Sequence, residues 1–206
     1  MTSKNKIEVN VWSDIACPWC YVGENIFKKA LKVFNQNYKN IKVEIIFHAY
    51  MIDPQTKKEG EDYLAYNKRR WGSDGWTGSL RRIGKQYGAN FDNWKIWPNT
   101  LLCHILLAEA KKINKGNEVL DEIFNYCYEL GKNVSLESTL NEIGNKYGIK
   151  NWNTQENLKI VVNDEKIGKK KYGIGAVPYF IFPNDEVVEG AASPEEFLNA
   201  LIQAIE

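Results

Sequence analysis

Apolar and polar residues alternate at the start of the chain, with Ile7, Val9 and Val11 on one side and Glu8 and Asn10 on the other. A period of two marks a strand with one buried face, predicted over 7–12. From Tyr21 the period lengthens. Val22, Ile26, Phe27, Ala30, Leu31 and Phe34 recur at helical spacing, so 21–34 is predicted as a helix. A second strand is predicted over 41–52, where Ile41-Lys42-Val43-Glu44-Ile45 alternates and Ile46-Phe47 prolongs the apolar run. Its far end should be buried, and Asp53-Pro54 stops it. Six helices are predicted next, over 61–71, 79–87, 98–112, 117–130, 135–147 and 153–172. Gly88, Gly131 and Gly148 close three of them. Ser135 is the expected cap of the fifth, without a capping box because Ser138 stands at the third position on. Strand character returns at Tyr179-Phe180-Ile181-Phe182 and, after a turn at Asn184-Asp185, over 186–189. Ser193, Pro194 and Glu196 then stand at the cap, first-turn and capping-box positions of a last helix striped with Phe197, Leu198, Leu201, Ile202 and Ile205.

Strands that bracket a block of helices imply one α/β domain interrupted by a helical insertion. The boundaries read from the pattern are 1–55 and 171–206 for the two parts of the α/β domain, and 56–170 for the insertion. A chain of 206 residues suits that arrangement. A net charge of +1 gives no reason to expect nucleic acid or an anionic membrane as partner. The densest basic run, Lys169-Lys170-Lys171, reads as the solvated face of a helix. No apolar run is long enough to span a bilayer. Met1 to Asn10 lacks the apolar core of a signal peptide. The expected location is therefore cytoplasmic, where thiols are kept reduced, as a monomer or homodimer.

The chemistry concentrates in Cys17-Pro18-Trp19-Cys20. The pair falls at the predicted strand-to-helix junction, where a helix N-terminus favours a thiolate. Pro18 takes the first helical position, where a missing N–H costs nothing. Zinc would need a second C-x-x-C or a spaced histidine pair. Cys103 and Cys127 instead lie far apart inside helical patterns, and His48 and His104 are isolated, so no metal is expected. An inert staple is disfavoured because the loop it would close is too short to constrain much unfolded chain. Redox chemistry is the reading that remains. A second landmark, Gly175-Ala176-Val177-Pro178, stands just before a strand. A proline opening a strand has no N–H to lose, and X–Pro bonds are the only common cis bonds; read alone, this is simply a strand start.

Three runs together resemble the DsbA-like branch of the thioredoxin superfamily: Ser13-Asp14-Ile15-Ala16-Cys17-Pro18-Trp19-Cys20-Tyr21-Val22-Gly23, Gly175-Ala176-Val177-Pro178-Tyr179-Phe180, and Glu189-Gly190-Ala191 before the last helix. Within that branch the chain is similar to the FrnE-like proteins, with their D-x-x-C-P-W-C-Y-x-G motif. Asn99-Thr100 leading into His104 is similar to that family's N-T-x-x-A-H segment, with Cys103 where alanine is usual. The resemblance implies a thioredoxin-like fold with an inserted all-helical domain and a protein-disulfide oxidoreductase without a bound cofactor. It implies Cys17 as exposed nucleophile and Cys20 as buried resolving thiol. It also implies Pro178 as a cis-proline facing them and the Val177 backbone as a pairing site for an extended substrate. Pro18 and Trp19 complete the implied substrate-binding set. Substrates would be disulfide-bearing proteins or small-molecule thiols. The uncharged Pro18-Trp19 pair points to a milder oxidant than periplasmic DsbA, which has a histidine there.

The main alternative is a glutathione-dependent transferase or isomerase, with glutathione as co-substrate. Kappa-class glutathione transferases and 2-hydroxychromene-2-carboxylate isomerases share the implied layout. They usually carry serine at the Cys17 position and lack the second cysteine, whereas both thiols stand here. A non-catalytic binding or chaperone module would have no use for an intact C-x-x-C. Cys103 and Cys127 read as small buried residues, with an accessory redox pair as the alternative. His104 reads as a satisfied helix histidine, and His48 carries no signal.

Overall fold

Strand β1 (Lys6–Ser13) buries Ile7, Val9 and Val11 and exposes Lys6 and Glu8, as the alternation requires. The structure is a computed structural model that describes residues 6–205; the polar lead-in Met1–Asn5 and Glu206 lie outside the described residues. Helix α1 (Pro18–Asn37) crosses over to strand β2 (Lys42–Ala49), which runs parallel to β1 with Trp12 opposite His48 and Ser13 opposite Ala49. A crossover of this kind brings the C-terminal end of β1 and the N-terminus of α1 to one edge of the sheet.

After the insertion, β5 (Tyr179–Ile181) pairs antiparallel with β1, and β6 (Val187–Glu189) with β5, giving the order β2-β1-β5-β6. Helix α8 (Pro194–Gln203) packs beside α1 on the sheet. Phe27, Phe180 and Phe197 meet there with ring centroids 4.7 to 5.3 Å apart. The Ser193 hydroxyl accepts the Glu196 N–H, as its position predicts.

The insertion contains α2 (Tyr63–Trp71), α3 (Thr77–Lys85), α4 (Leu101–Lys112), α5 (Gly116–Phe124), α6 (Glu137–Lys146) and α7 (Gln155–Lys171). It is not all-helical. Two-residue strands β3 (Glu61–Asp62) and β4 (Ile96–Trp97) pair antiparallel across it, a ladder too short to leave a periodic trace. Asp62 therefore starts α2 from a strand, its carboxylate accepting the Ala65 N–H. Ser135 does not cap α6. Leu136 holds that position without a side-chain cap, while the Ser135 hydroxyl accepts the Asn99 N–H at 2.9 Å. Helix α5 continues into a π-helical turn, Asn125–Glu129, which helical periodicity cannot distinguish from α.

Aromatic contacts at Tyr21 and Trp12 help to fix the insertion on the α/β domain. Tyr21, directly after Cys20, stacks on Phe124 and Tyr128 with centroids 5.1 and 5.6 Å away. On α7, Gly168 admits the Trp12 indole so closely that a Cβ would stand 2.6 Å from it, and Trp12 Nε1–H donates to the Asp164 carbonyl.

Candidate active site

Cys17 is the N-cap of α1, in extended conformation, and Pro18 occupies the first turn. The cap lacks a side-chain hydrogen bond to the helix, and no acidic residue fills the first turn. The helix N-terminus is thus left to act on the Cys17 sulfur. The thiol donates instead to the Val177 carbonyl at 3.4 Å, across from the other end of the chain. That contact leaves Cys17 only 7 % exposed, more enclosed than a surface nucleophile but more open than Cys20 at 1 %. Both thiols are free. Cys20 lies one turn in, its sulfur accepting the Asp14 N–H at 3.4 Å. Burial pushes its thiol well up, and Cys17 beside it adds to the effect, while the Asp14 N–H and the Ser13 hydroxyl pull the other way.

The loop between β1 and α1 is tied down by Asp14, which is 1 % exposed. Its carboxylate accepts the Ala16 N–H at 3.2 Å and the Ile52 N–H at 2.8 Å, and lies 3.3 Å from His104 Nε2 on α4. Tyr128 closes the other side, its hydroxyl donating to the Ile15 carbonyl at 2.7 Å. The insertion therefore supplies two side chains, His104 and Tyr128, that hold the cysteine loop from behind. Motif spacing assigns Asp14 no such part, whereas His104, expected as a satisfied helix histidine, finds its partner in that carboxylate. The signal was the N-T-x-x-A-H similarity, which joins a helix in the insertion to the cysteine motif.

Val177–Pro178 is a cis bond, and both residues are buried beside α1. Gly23 explains how α1 comes so near: a Cβ there would lie 2.9 Å from Pro178 Cγ and 3.3 Å from the Ala191 backbone. The three runs quoted for the resemblance thus meet at one place, with Gly23 as the contact point. Trp19 is half-buried and Pro18 buried. Cys17, Cys20, Pro18, Trp19, Val177 and Pro178 are all found around this junction.

The profile of the DSBA-like thioredoxin domain matches residues 8–202. The chain belongs to that family. A relative by sequence is the uncharacterized protein YwbO of Bacillus subtilis (strain 168), 25% identical over 203 residues, covering 95% of this chain and 96% of YwbO. Among solved structures, a probable DsbA oxidoreductase from Streptomyces coelicolor superposes with a TM-score of 0.79 at 27% identity, over 96% of this chain and 89% of that one. The cytosolic disulfide reductase DsbM from Pseudomonas aeruginosa, solved with GSH, shares the fold at a TM-score of 0.64 and 14% identity, over 95% of this chain and 98% of that one.

The remaining candidates make no hydrogen bond to the C-x-x-C sulfurs among the described residues. Cys103 and Cys127 are buried; Cys103 donates to the Val134 carbonyl at 3.2 Å, and burial pushes both thiols up. Among the described residues no cluster of three His, Cys, Asp or Glu is arranged to hold a metal ion, and no helix is long and apolar enough to cross a membrane. His48 stacks on Trp12 at 4.3 Å and lies 3.1 Å from the Asp164 carboxylate.

Proposed function

We propose that the protein is a thiol–disulfide oxidoreductase that works through the Cys17–Cys20 dithiol and a mixed-disulfide intermediate. The observation that carries this reading is the asymmetry of the pair. Cys17 caps a helix with no acidic residue in its first turn and no side-chain cap, whereas Cys20 is enclosed with its thiol pushed up. In the reducing direction the Cys17 thiolate attacks a substrate disulfide, forming a Cys17–substrate disulfide and expelling one substrate thiolate. Cys20 then attacks the Cys17 sulfur, the second substrate thiolate leaves, and the enzyme is left oxidised by two electrons. The Cys17 thiol now rests on the Val177 carbonyl. An extended substrate would replace that contact, with Pro178, Pro18 and Trp19 as the walls around the reacting sulfur.

Two further free thiols, Cys103 and Cys127, suit a reducing compartment, so the proposed setting is the cytoplasm and the proposed direction is reduction. The test runs disulfide reduction beside glutathione conjugation on one preparation, with the Cys17–Cys20 potential measured against glutathione. Disulfide reduction with a potential near ~−270 mV supports the reading, and a potential near ~−120 mV would reverse the direction. Conjugation without disulfide reduction would replace it with glutathione-dependent transferase or isomerase chemistry.

A further inference from the structure

Strand β2 leaves part of its backbone open. It is an outer strand of the sheet, paired among the described residues with β1 alone. Along a strand the N–H and C=O of one residue point to the same side, and the sides alternate. Tyr50 N–H, just past the strand, donates to the Ser13 carbonyl of β1, whereas Ala49 N–H donates away from β1, to the Asp164 carboxylate. The odd-numbered residues of β2 therefore face outward. Its C-terminal half is closed, because Lys111 Nζ donates to the Phe47 carbonyl at 2.9 Å and Asp164 takes the Ala49 N–H at 3.4 Å. In the N-terminal half, the outward N–H and C=O groups of Val43 and Ile45 have no hydrogen-bond partner among the described residues.

The side chains at this edge suit a partner strand. Ile41, Val43 and Ile45 are half-buried apolar residues. A groove of about 750 Å³ runs beside them, bounded by Leu107, Lys111 and Asn117, and another of about 380 Å³ opens by Tyr38. Proteins commonly blunt such an edge with lysine. Lys42 stands here, but Glu44 follows two residues on, so the edge carries both signs. Lys6 holds Glu44 Oε2, while Glu44 Oε1 and Lys42 Nζ have no ion-pair partner among the described residues. The opposite outer strand, β6, has three residues and no lysine.

The complement of this edge is the same strand run antiparallel. A two-fold axis at Val43 sets Val43 against its copy, the two exchanging both N–H···O bonds. Lys42 then stands opposite Glu44 of the second copy, once on each side of the axis, and Ile45 opposite Ile41. An axis at Glu44 would put like charges directly opposite, which destabilises. An axis at Ile45 would direct Val43 to the Phe47 carbonyl that Lys111 already covers.

We propose that the protein forms a two-fold dimer through residues 41–46 of this edge, joining two four-stranded sheets into one. The antiparallel joint points the C-terminal ends of the two β1 strands in opposite directions, so both Cys17–Cys20 sites stay open to substrate.

Sedimentation velocity over a wide concentration range tests this on the wild type, Lys42→Glu, Glu44→Lys and an equimolar mixture of the two variants. The wild type should pass from monomer to dimer as concentration rises. Each variant alone puts like charges opposite at two places and should weaken the dimer on the order of tenfold or more. In the mixture an acidic edge meets a basic one, and the dimer should return. Lys42 is exposed, so Lys42→Glu answers even if Glu44→Lys, which loses the Lys6 pair, folds poorly. Val43→Pro removes only an outward N–H and should also leave a monomer. A wild type that stays monomeric at every concentration would overturn the proposal and leave the edge to an extended segment of another protein. A dimer that Lys42→Glu and Val43→Pro both leave intact would overturn it as well, because another face would then hold the copies together. So would a mixture that stays monomeric although both variants are folded.

Discussion

Glu24→Gln should change how the stability of the protein depends on pH. Glu24 sits on α1 one turn after Cys20 and is 3 % exposed. Lys28 Nζ is 2.9 Å from its Oε1, but not in hydrogen-bonding geometry, so neither carboxylate oxygen has a hydrogen-bond partner. Lys28 also pairs with Asp121 of α5, whose negative charge opposes ionisation of Glu24. Burial, more than these charges, lifts the Glu24 carboxyl from 4.5 to about 8. An unfolded chain loses this proton near pH 4.5 while the folded chain keeps it. Stability therefore falls with rising pH across that window, by about 1.4 kcal/mol per unit, and levels off above pH 8. Between pH 6 and pH 9 the loss from this one group is roughly 2–3 kcal/mol. Lys28 does not blur the window, because its raised value affects stability only above its ordinary 10.5. Urea unfolding of both proteins at pH 6, 7, 8 and 9 makes the comparison. Glutamine carries no proton to lose, so the variant should be flatter by that amount and gain relative to wild type at pH 9. Parallel pH profiles would refute the claim that Glu24 is protonated in the folded protein.

Gly23→Ala, in a helix interior, would ordinarily stabilise by up to about 1 kcal/mol; here the new methyl meets Pro178 and Ala191, so a loss of roughly 1–3 kcal/mol is expected. Thermal unfolding reads the sign, and disulfide exchange should slow as well. Tyr128→Phe strips the Ile15 carbonyl of its donor and should lower stability by about 1–3 kcal/mol in urea; an unchanged midpoint would mean the loop does not depend on it. Ser193→Ala removes the cap of α8 and should cost about 1 kcal/mol, with no effect on thiol reactivity at Cys17.

Much of the fold was legible because its signals are local. The alternation at Ile7, Val9 and Val11, the helical stripe through Phe34 and the Ser193 cap each reappear where the sequence puts them. What was missed depends on partners far along the chain. Ser135 gave up its capping role to bind the Asn99 backbone, and the β3–β4 ladder is only two residues on each side. Cys17 and Cys20 were legible from spacing and from the helix that follows them. Their surroundings were not, because Asp14 meets His104 across 90 residues and Ile15 meets Tyr128 across 113. The burial of Cys17 likewise follows from Val177, 160 residues away. Spacing within a motif cannot show such contacts.

The central claim is that Cys17 takes the substrate and Cys20 releases it. Cys20→Ser incubated with a disulfide-bonded protein, then digested and mapped by mass spectrometry without reduction, tests that claim most directly. The account predicts a trapped mixed disulfide on Cys17 and none on Cys103 or Cys127, since exchange stops at that intermediate when the resolving thiol is gone. Turnover at the wild-type rate with no adduct, or an adduct carried by another cysteine, would contradict it.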